Sequence, residues 1–131
     1  MTRLTKRLMA VTLALTATVA GLTSTGSPAA AASSSCDAGW FCVWTDSPYS
    51  GKFAEFQKGS NNLYDPFGGV LAGRITDVWN RTGKPWCMYS SVSYLGSGAW
   101  FRSGYNGYTG SFNDRALSLR PVPNPSSLSC W

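Results

Sequence analysis

Histidine is absent from the chain. Ser/His/Asp and Cys/His nucleophilic sites and the usual catalytic zinc sites need an imidazole, so those chemistries are excluded at the outset. Charged residues make up only 13% of the chain, and no run of Lys or Arg occurs after residue 32. Nucleic acids and anionic membrane surfaces are recognised by clustered cations, so neither is an expected partner. No stretch shows helical periodicity, and none after the first 32 residues could span a bilayer. Cys36, Cys42, Cys87 and Cys130 are separated by five, 44 and 42 residues. With no Cys-x₂-Cys pair among them, zinc is set aside.

The first 32 residues read as a secretory signal peptide. Arg3, Lys6 and Arg7 form a basic start, Leu8 to Leu22 is apolar and small, and Ala29 to Ala32 offers Ala-x-Ala cleavage sites. Its removal takes three of the eleven basic residues, leaving eight against six acids and a net charge of +2. Residues 33–131 suffice for one domain, and a domain of that size buries roughly two-thirds of its unfolded surface and is marginal without reinforcement. An even number of cysteines in an exported small domain reads as two disulfides. Three pairings are possible; the favoured one is a local Cys36–Cys42 clasp, with Cys87–Cys130 tying the tail to the second half of the domain. Loop-closure entropy assigns about 2 kcal/mol to the short bridge and about 4 kcal/mol to the long one.

One pattern is written twice. Trp44-Thr-Asp-Ser-Pro-Tyr49-Ser-Gly51 and Tyr89-Ser-Ser-Val-Ser-Tyr94-Leu-Gly96 each place a tyrosine five positions after an aromatic and a glycine two positions later. The offset is 45, and it also relates Cys42 to Cys87, Phe56 to Phe101 and Gly59 to Gly104. Farther on it falls to 41, where Arg74-Ile75-Thr76-Asp77-Val78 answers Arg115-Ala116-Leu117-Ser118-Leu119. The first copy therefore carries four extra residues between Gly59 and Arg74. Two copies of one supersecondary unit follow. In each, glycine allows a positive φ that folds a hairpin over, so that Tyr49 or Tyr94 lies against the earlier aromatic.

Short strands are expected at 40–45, 52–56, 75–80, 86–89, 99–102, 105–112 and 116–120, with a bulge between Phe53 and Phe56. Pro121, Pro123 and Pro125 should end the sheet. Such spacing with glycine turns predicts an all-β sandwich of two Greek keys, about 40–82 and 85–121, followed by an extended tail over 122–131. The doubled hairpin, followed in each half by a strand such as Arg115–Leu119, resembles the βγ-crystallin Greek key. The opening Cys36-Asp-Ala-Gly-Trp-Phe-Cys42-Val-Trp44 behind a secretion signal resembles the secreted microbial branch of that fold, the actinobacterial metalloproteinase-inhibitor family and its killer-toxin-like relatives. The resemblance covers about 36–121.

That resemblance implies a non-enzyme that inhibits a secreted peptidase, a metallopeptidase whose cleft a rigid exposed loop occludes. Alternatives from other classes are a killer-toxin-like antimicrobial protein and a calcium- or carbohydrate-binding module of the cell envelope. Two loops are candidates: Pro66 to Leu71, where Val70 and Leu71 are bulky and apolar, and Lys84 to Met88, where proline and Cys87 brace Met88. The family's reactive bond lies in a loop closed by a nearby second cysteine, which this chain lacks after Cys87. Crystallin-type calcium sites imply two Asn/Asp residues, two free positions, Ser/Thr and Ser. Asn113, Asp114 and Ser118 keep part of that set, Leu117 departs from it, and the first copy offers neither leading acid. No cofactor is expected beyond one weak calcium site, and a turn cap is the competing reading of Asn113-Asp114.

The remaining candidates are bland or open. Asp37, Asp46, Glu55, Asp65, Asp77 and Asp114 offer the numbers for a glycosidase pair, but turns and an alternating strand explain most of them. Six Trp, six Tyr and six Phe exceed what the hairpins need. Trp100, Tyr105, Tyr108 and Trp131 are the candidates for a surface that stacks cell-wall sugars or docks a protein. Asn80-Arg81-Thr82 has glycosylation spacing.

Overall fold

Phe41-Cys-Val-Trp-Thr-Asp46, strand β1, is apolar on both faces, and a strand of that kind belongs in the middle of a covered sheet. In the computed structural model, which describes residues 35–65, 67–126 and 128–131, that is its position. The first sheet has the order β2-β1-β3-β6, with β2 at Ser50–Phe56, β3 at Asp77–Asn80 and β6 at Asn106–Tyr108. The second has the order β5-β4-β7, with β4 at Trp86–Tyr89, β5 at Gly98–Phe101 and β7 at Ser118–Pro121. Every pairing is antiparallel. The expected signal peptide, residues 1–32, lies outside the described residues.

Alternation divides each central strand between two environments. Phe41 and Val43 of β1 meet Trp86 and Met88 of β4 in the core between the sheets. Phe41 and Trp86 occupy equivalent places in the two halves, and their rings stack on one another at 4.7 Å and 6°. The other faces point outward into small satellite clusters. Cys42 and Trp44 are covered by Cys36, Trp40, Tyr49 and Trp79, and Cys87 and Tyr89 by Val122, Cys130 and Tyr94. The favoured disulfides, Cys36–Cys42 and Cys87–Cys130, are the ones formed, and each lies in one of these outer clusters.

The halves exchange strands. β6 belongs to the second half by sequence but pairs with β3 in the first sheet. Its counterpart in the first half pairs the other way: Ser60 and Leu119 exchange N–H···O bonds at 2.8 and 2.9 Å, and Leu63 N donates to Leu117 O at 2.9 Å. Asn80 stitches the join. Its buried Nδ2 lies 3.0 Å from the carbonyls of Lys84, Phe101 and Arg102, and its Oδ1 accepts from the Thr82 amide and hydroxyl. Both ends of the Asn80-Arg81-Thr82 sequon are thus enclosed in the fold.

Several expected bounds change. The strand expected over 105–112 is only β6, and a 3-10 turn at Gly110–Phe112 replaces the rest. The strand expected at 75–80 begins at Asp77, and the one at 116–120 becomes Ser118–Pro121. Pro121 therefore lies inside the sheet, at the end of an edge strand opposite Trp86, where its missing N–H is tolerated. No bulge separates Phe53 from Phe56: three positions apart, they point to opposite faces, Phe56 into the core and Phe53 onto Trp44 at 5.1 Å. The register shift falls instead between Trp44 and Asp46.

Candidate functional site

The two hairpins show what the repeat encodes. Gly51 and Gly96 have φ of 74° and 77°, so each chain folds back as a left-handed turn. Tyr49 meets Trp44 edge-on at 5.2 Å and 76°, and Tyr94 meets Tyr89 at 5.8 Å and 62°. Both tyrosines also have positive φ, 45° and 61°, a conformation that needs external support. The support comes from equivalent positions on the closing strands. Asp77 Oδ2 accepts from Tyr49 N at 2.9 Å, and Ser118 Oγ accepts from Tyr94 N at 3.0 Å. Ser118 also donates to Ser91 O at 2.6 Å. Tyr49 Oη donates to Asn106 Oδ1, which ties the first hairpin to β6. Burial raises the Tyr49 phenol above its ordinary pKa, and the negative charge of Asp77 and then Tyr105 add to the shift.

This arrangement corrects the reading of Ser118 as a metal ligand. The residue is fully buried and its hydroxyl is committed to the hairpin as both donor and acceptor. Asn113 Nδ2 donates to Asp114 Oδ2 at 3.0 Å, while Asn113 Oδ1 is buried without a partner. That oxygen is one a cation would use, yet calcium takes six to eight oxygens. Among the described residues no three of His, Cys, Asp and Glu converge to hold a metal. Asp114 instead lines a cleft of about 260 Å³ with Thr45, Asp46, Gly73 and Arg74, so the carboxylates share it with a guanidinium.

The two candidate loops separate clearly. Cys87 and Met88 lie in β4, the central strand of the second sheet, and both are wholly buried. Strands on either side and a cluster on each face leave no bond there for another protein to reach, so this candidate is withdrawn. The excursion after Leu63 is exposed at its tip and fastened at its base. Leu63 and Leu71 are in the core, at 0% and 1% exposure, and Phe67 packs edge-on against Phe56 at 5.4 Å. Gly69 N donates to Tyr64 O at 2.9 Å, Val70 N to Phe67 O at 3.2 Å, and Gly73 N to Ala116 O at 2.8 Å. Gly68 and Gly69, with φ of 60° and 77°, permit the tight reversal. Val70 projects at 38% exposure and Leu71 does not, so of that expected pair only Val70 is presented.

Of the aromatics singled out in the sequence, Tyr105 packs on Phe101 at 5.2 Å and donates its hydroxyl to Tyr108 O at 2.5 Å. Trp100, Tyr108 and Trp131 are exposed. Of the six carboxylates, Asp77 is a hairpin support, and Asp46 and Asp114 line one cleft with Arg74.

Residues 29–103 match the model of peptidase inhibitor family I36. The fold is that of βγ-crystallin domains. A βγ-crystallin from Ciona intestinalis is similar with a TM-score of 0.54 and 16% identity, over 63% of this chain and 99% of that one. A βγ-crystallin domain from Clostridium beijerinckii gives 0.55 and 18%, over 63% and 95%. A domain from Flavobacterium johnsoniae gives 0.54 and 22%, over 64% and 94%. No curated protein matches the chain.

Proposed function

The chain belongs to peptidase inhibitor family I36, and from that premise we propose that it is a secreted inhibitor of metallopeptidases that lays the loop around Val70 in the enzyme's cleft. It acts by binding and performs no chemistry of its own, as the inhibitor family and the βγ-crystallin fold both imply. The observation that carries the loop assignment is the contrast between Val70 and its neighbours. An exposed apolar side chain stands on a reversal whose base is fixed by Leu63, Phe67 and Leu71.

A loop fixed before binding loses little entropy when it docks, so more of its contact energy appears as affinity. Here the fixing is done by core packing and hydrogen bonds, without the second cysteine that closes the loop in the resembling inhibitors. The metallopeptidase target rests on the resemblance of Cys36–Trp44 and its context to that branch, and on a bulky apolar residue being presented to the cleft. Secretion is supported by the basic–apolar–alanine start of the sequence and by two disulfides, which persist in oxidising surroundings. Among the described residues no helix is long and apolar enough to cross a membrane.

Titration of thermolysin with the purified protein tests the reading. Stoichiometric loss of activity is expected, with Val70→Asp weakening inhibition at least a hundredfold while the melting temperature stays unchanged. Full thermolysin activity at micromolar excess removes the metallopeptidase target. Undiminished inhibition by Val70→Asp removes the loop.

A further inference from the structure

The outer face of the second sheet carries a surface that inhibition through Val70 does not use. Residues paired directly across strands share a face. Cys87 is opposite Trp100 on β5 and Arg120 on β7, and Tyr89 is opposite Gly98 and Ser118, so all six point to the outer side. Tyr89 is buried there beneath two neighbours. The Trp131 ring meets it at 5.4 Å and 74°, and the Arg120 guanidinium lies 5.4 Å from its ring and 4.5 Å from that of Tyr94. Tyr89 Oη accepts from Arg120 Nε at 3.1 Å and donates to Cys130 O at 2.7 Å.

Trp131 is 64% exposed although the Cys87–Cys130 bridge fixes the residue before it. Gly98 makes the close approach of this tail possible: a Cβ there would lie 2.9 Å from Cys130 Cβ and 3.6 Å from the Trp131 indole. Trp100, 39% exposed, follows two positions along the same face, a rise of about 7 Å. Strands β4, β5 and β7 contain no carboxylate, and Arg120 is half-buried with no ion pair among the described residues. Two exposed indoles on one sheet face, beside an arginine that forms no ion pair among the described residues, suit a ligand with flat C–H faces and negative charge.

We propose that this face binds an anionic glycan, with pyranose rings stacked on Trp131 and Trp100 and a sugar carboxylate or phosphate paired with Arg120. Indole faces cover the apolar faces of sugar rings, and a guanidinium offers a carboxylate or phosphate two parallel N–H donors. Holding the indoles by a strand and a disulfide keeps the entropy lost on binding small.

Tryptophan fluorescence and calorimetric titrations with hexagalacturonate and with poly(glycerol phosphate) test the proposal and distinguish the two sources of charge. Cellohexaose, polyaspartate and duplex DNA complete the set of probes. At least one of the two anionic glycans should bind, cellohexaose should bind at least tenfold more weakly, and Trp131→Ala and Trp100→Ala should each weaken binding at least tenfold. Trp131 is 64% exposed but its ring covers Tyr89, so its replacement should lower the melting temperature by only a few degrees and leave the protein folded at the assay temperature. Val70→Asp should bind glycan as the parent does, which separates this site from inhibition. Absence of binding to both anionic glycans at millimolar concentration overturns the proposal. So does equal binding by cellohexaose, by polyaspartate or by DNA, or unaltered glycan binding by both tryptophan variants.

Discussion

Replacing Ser118 by alanine should unfasten the second hairpin. The substitution removes one oxygen from a fully buried site and leaves Tyr94 N–H and Ser91 C=O without their partner. A buried group left unpaired costs about 1–3 kcal/mol, and since Tyr94 and Ser91 are half-buried, water recovers part of that, so the loss should be about 2 kcal/mol. For a domain of this size that lowers the melting temperature by about 10 °C. The first hairpin supplies the control. Asp77→Ala should cost about as much, because Tyr49 N–H loses a charged acceptor. Asp77→Ser installs the residue type that the second half uses and deletes Oδ1, which is buried without a partner, so at least half of that loss should return. Urea denaturation followed by far-ultraviolet circular dichroism, with the disulfides intact, measures all three. A loss below about 0.5 kcal/mol for Ser118→Ala, or equal losses for Asp77→Ser and Asp77→Ala, would refute the idea of a shared support.

Removing Cys87–Cys130, which spans 43 positions, should cost about 4 kcal/mol, against about 2 kcal/mol for Cys36–Cys42, which spans six; paired Cys→Ser variants in urea compare them. Tyr49, with its pKa raised on folding, stabilises the protein fully below pH 10.0 and loses that contribution as the pH rises through its folded-state value. Melting temperatures measured from pH 9 upward should therefore fall, and Tyr49→Phe should flatten the fall. Millimolar calcium should leave the melting temperature unchanged, because Ser118 is committed and Arg74 shares the cleft with Asp46 and Asp114; a rise of several degrees would restore a metal site.

The repeat was legible because the residues that define it perform local work. A positive φ at glycine and an aromatic five positions before a tyrosine are written contiguously. The offset of 41 also paired Asp77 with Ser118, yet their common duty depends on a tyrosine amide 28 or 24 positions away, which no local pattern reveals. The sequence offers two readings of Cys87 and Met88, a strand over 86–89 and a loop braced by a nearby proline and cysteine, and the structure has the strand. Trp86-Cys-Met-Tyr89 is a continuous apolar run of strand length, and that composition signals burial on both faces. Leu71 shows a similar limit: a glycine-rich excursion reads as exposed throughout, whereas the leucines at its ends are core residues and Val70 alone of the Val70–Leu71 pair is shown to solvent. The strand expected over 105–112 ends at Tyr108, because Gly110, with φ of 66°, turns the chain into the 3-10 turn.

Strand exchange between the halves bears on how such a domain can be divided. Cutting the linker at 81–85 would strip the first sheet of β6 and deprive β7 of its link to Ser60, leaving each fragment with an unmated border. A lone half would thus be one side of a zipper, able to complete itself only by recruiting a second molecule. Duplication within a single polypeptide turns that intermolecular appetite inward, and melting should then proceed as one event rather than half by half.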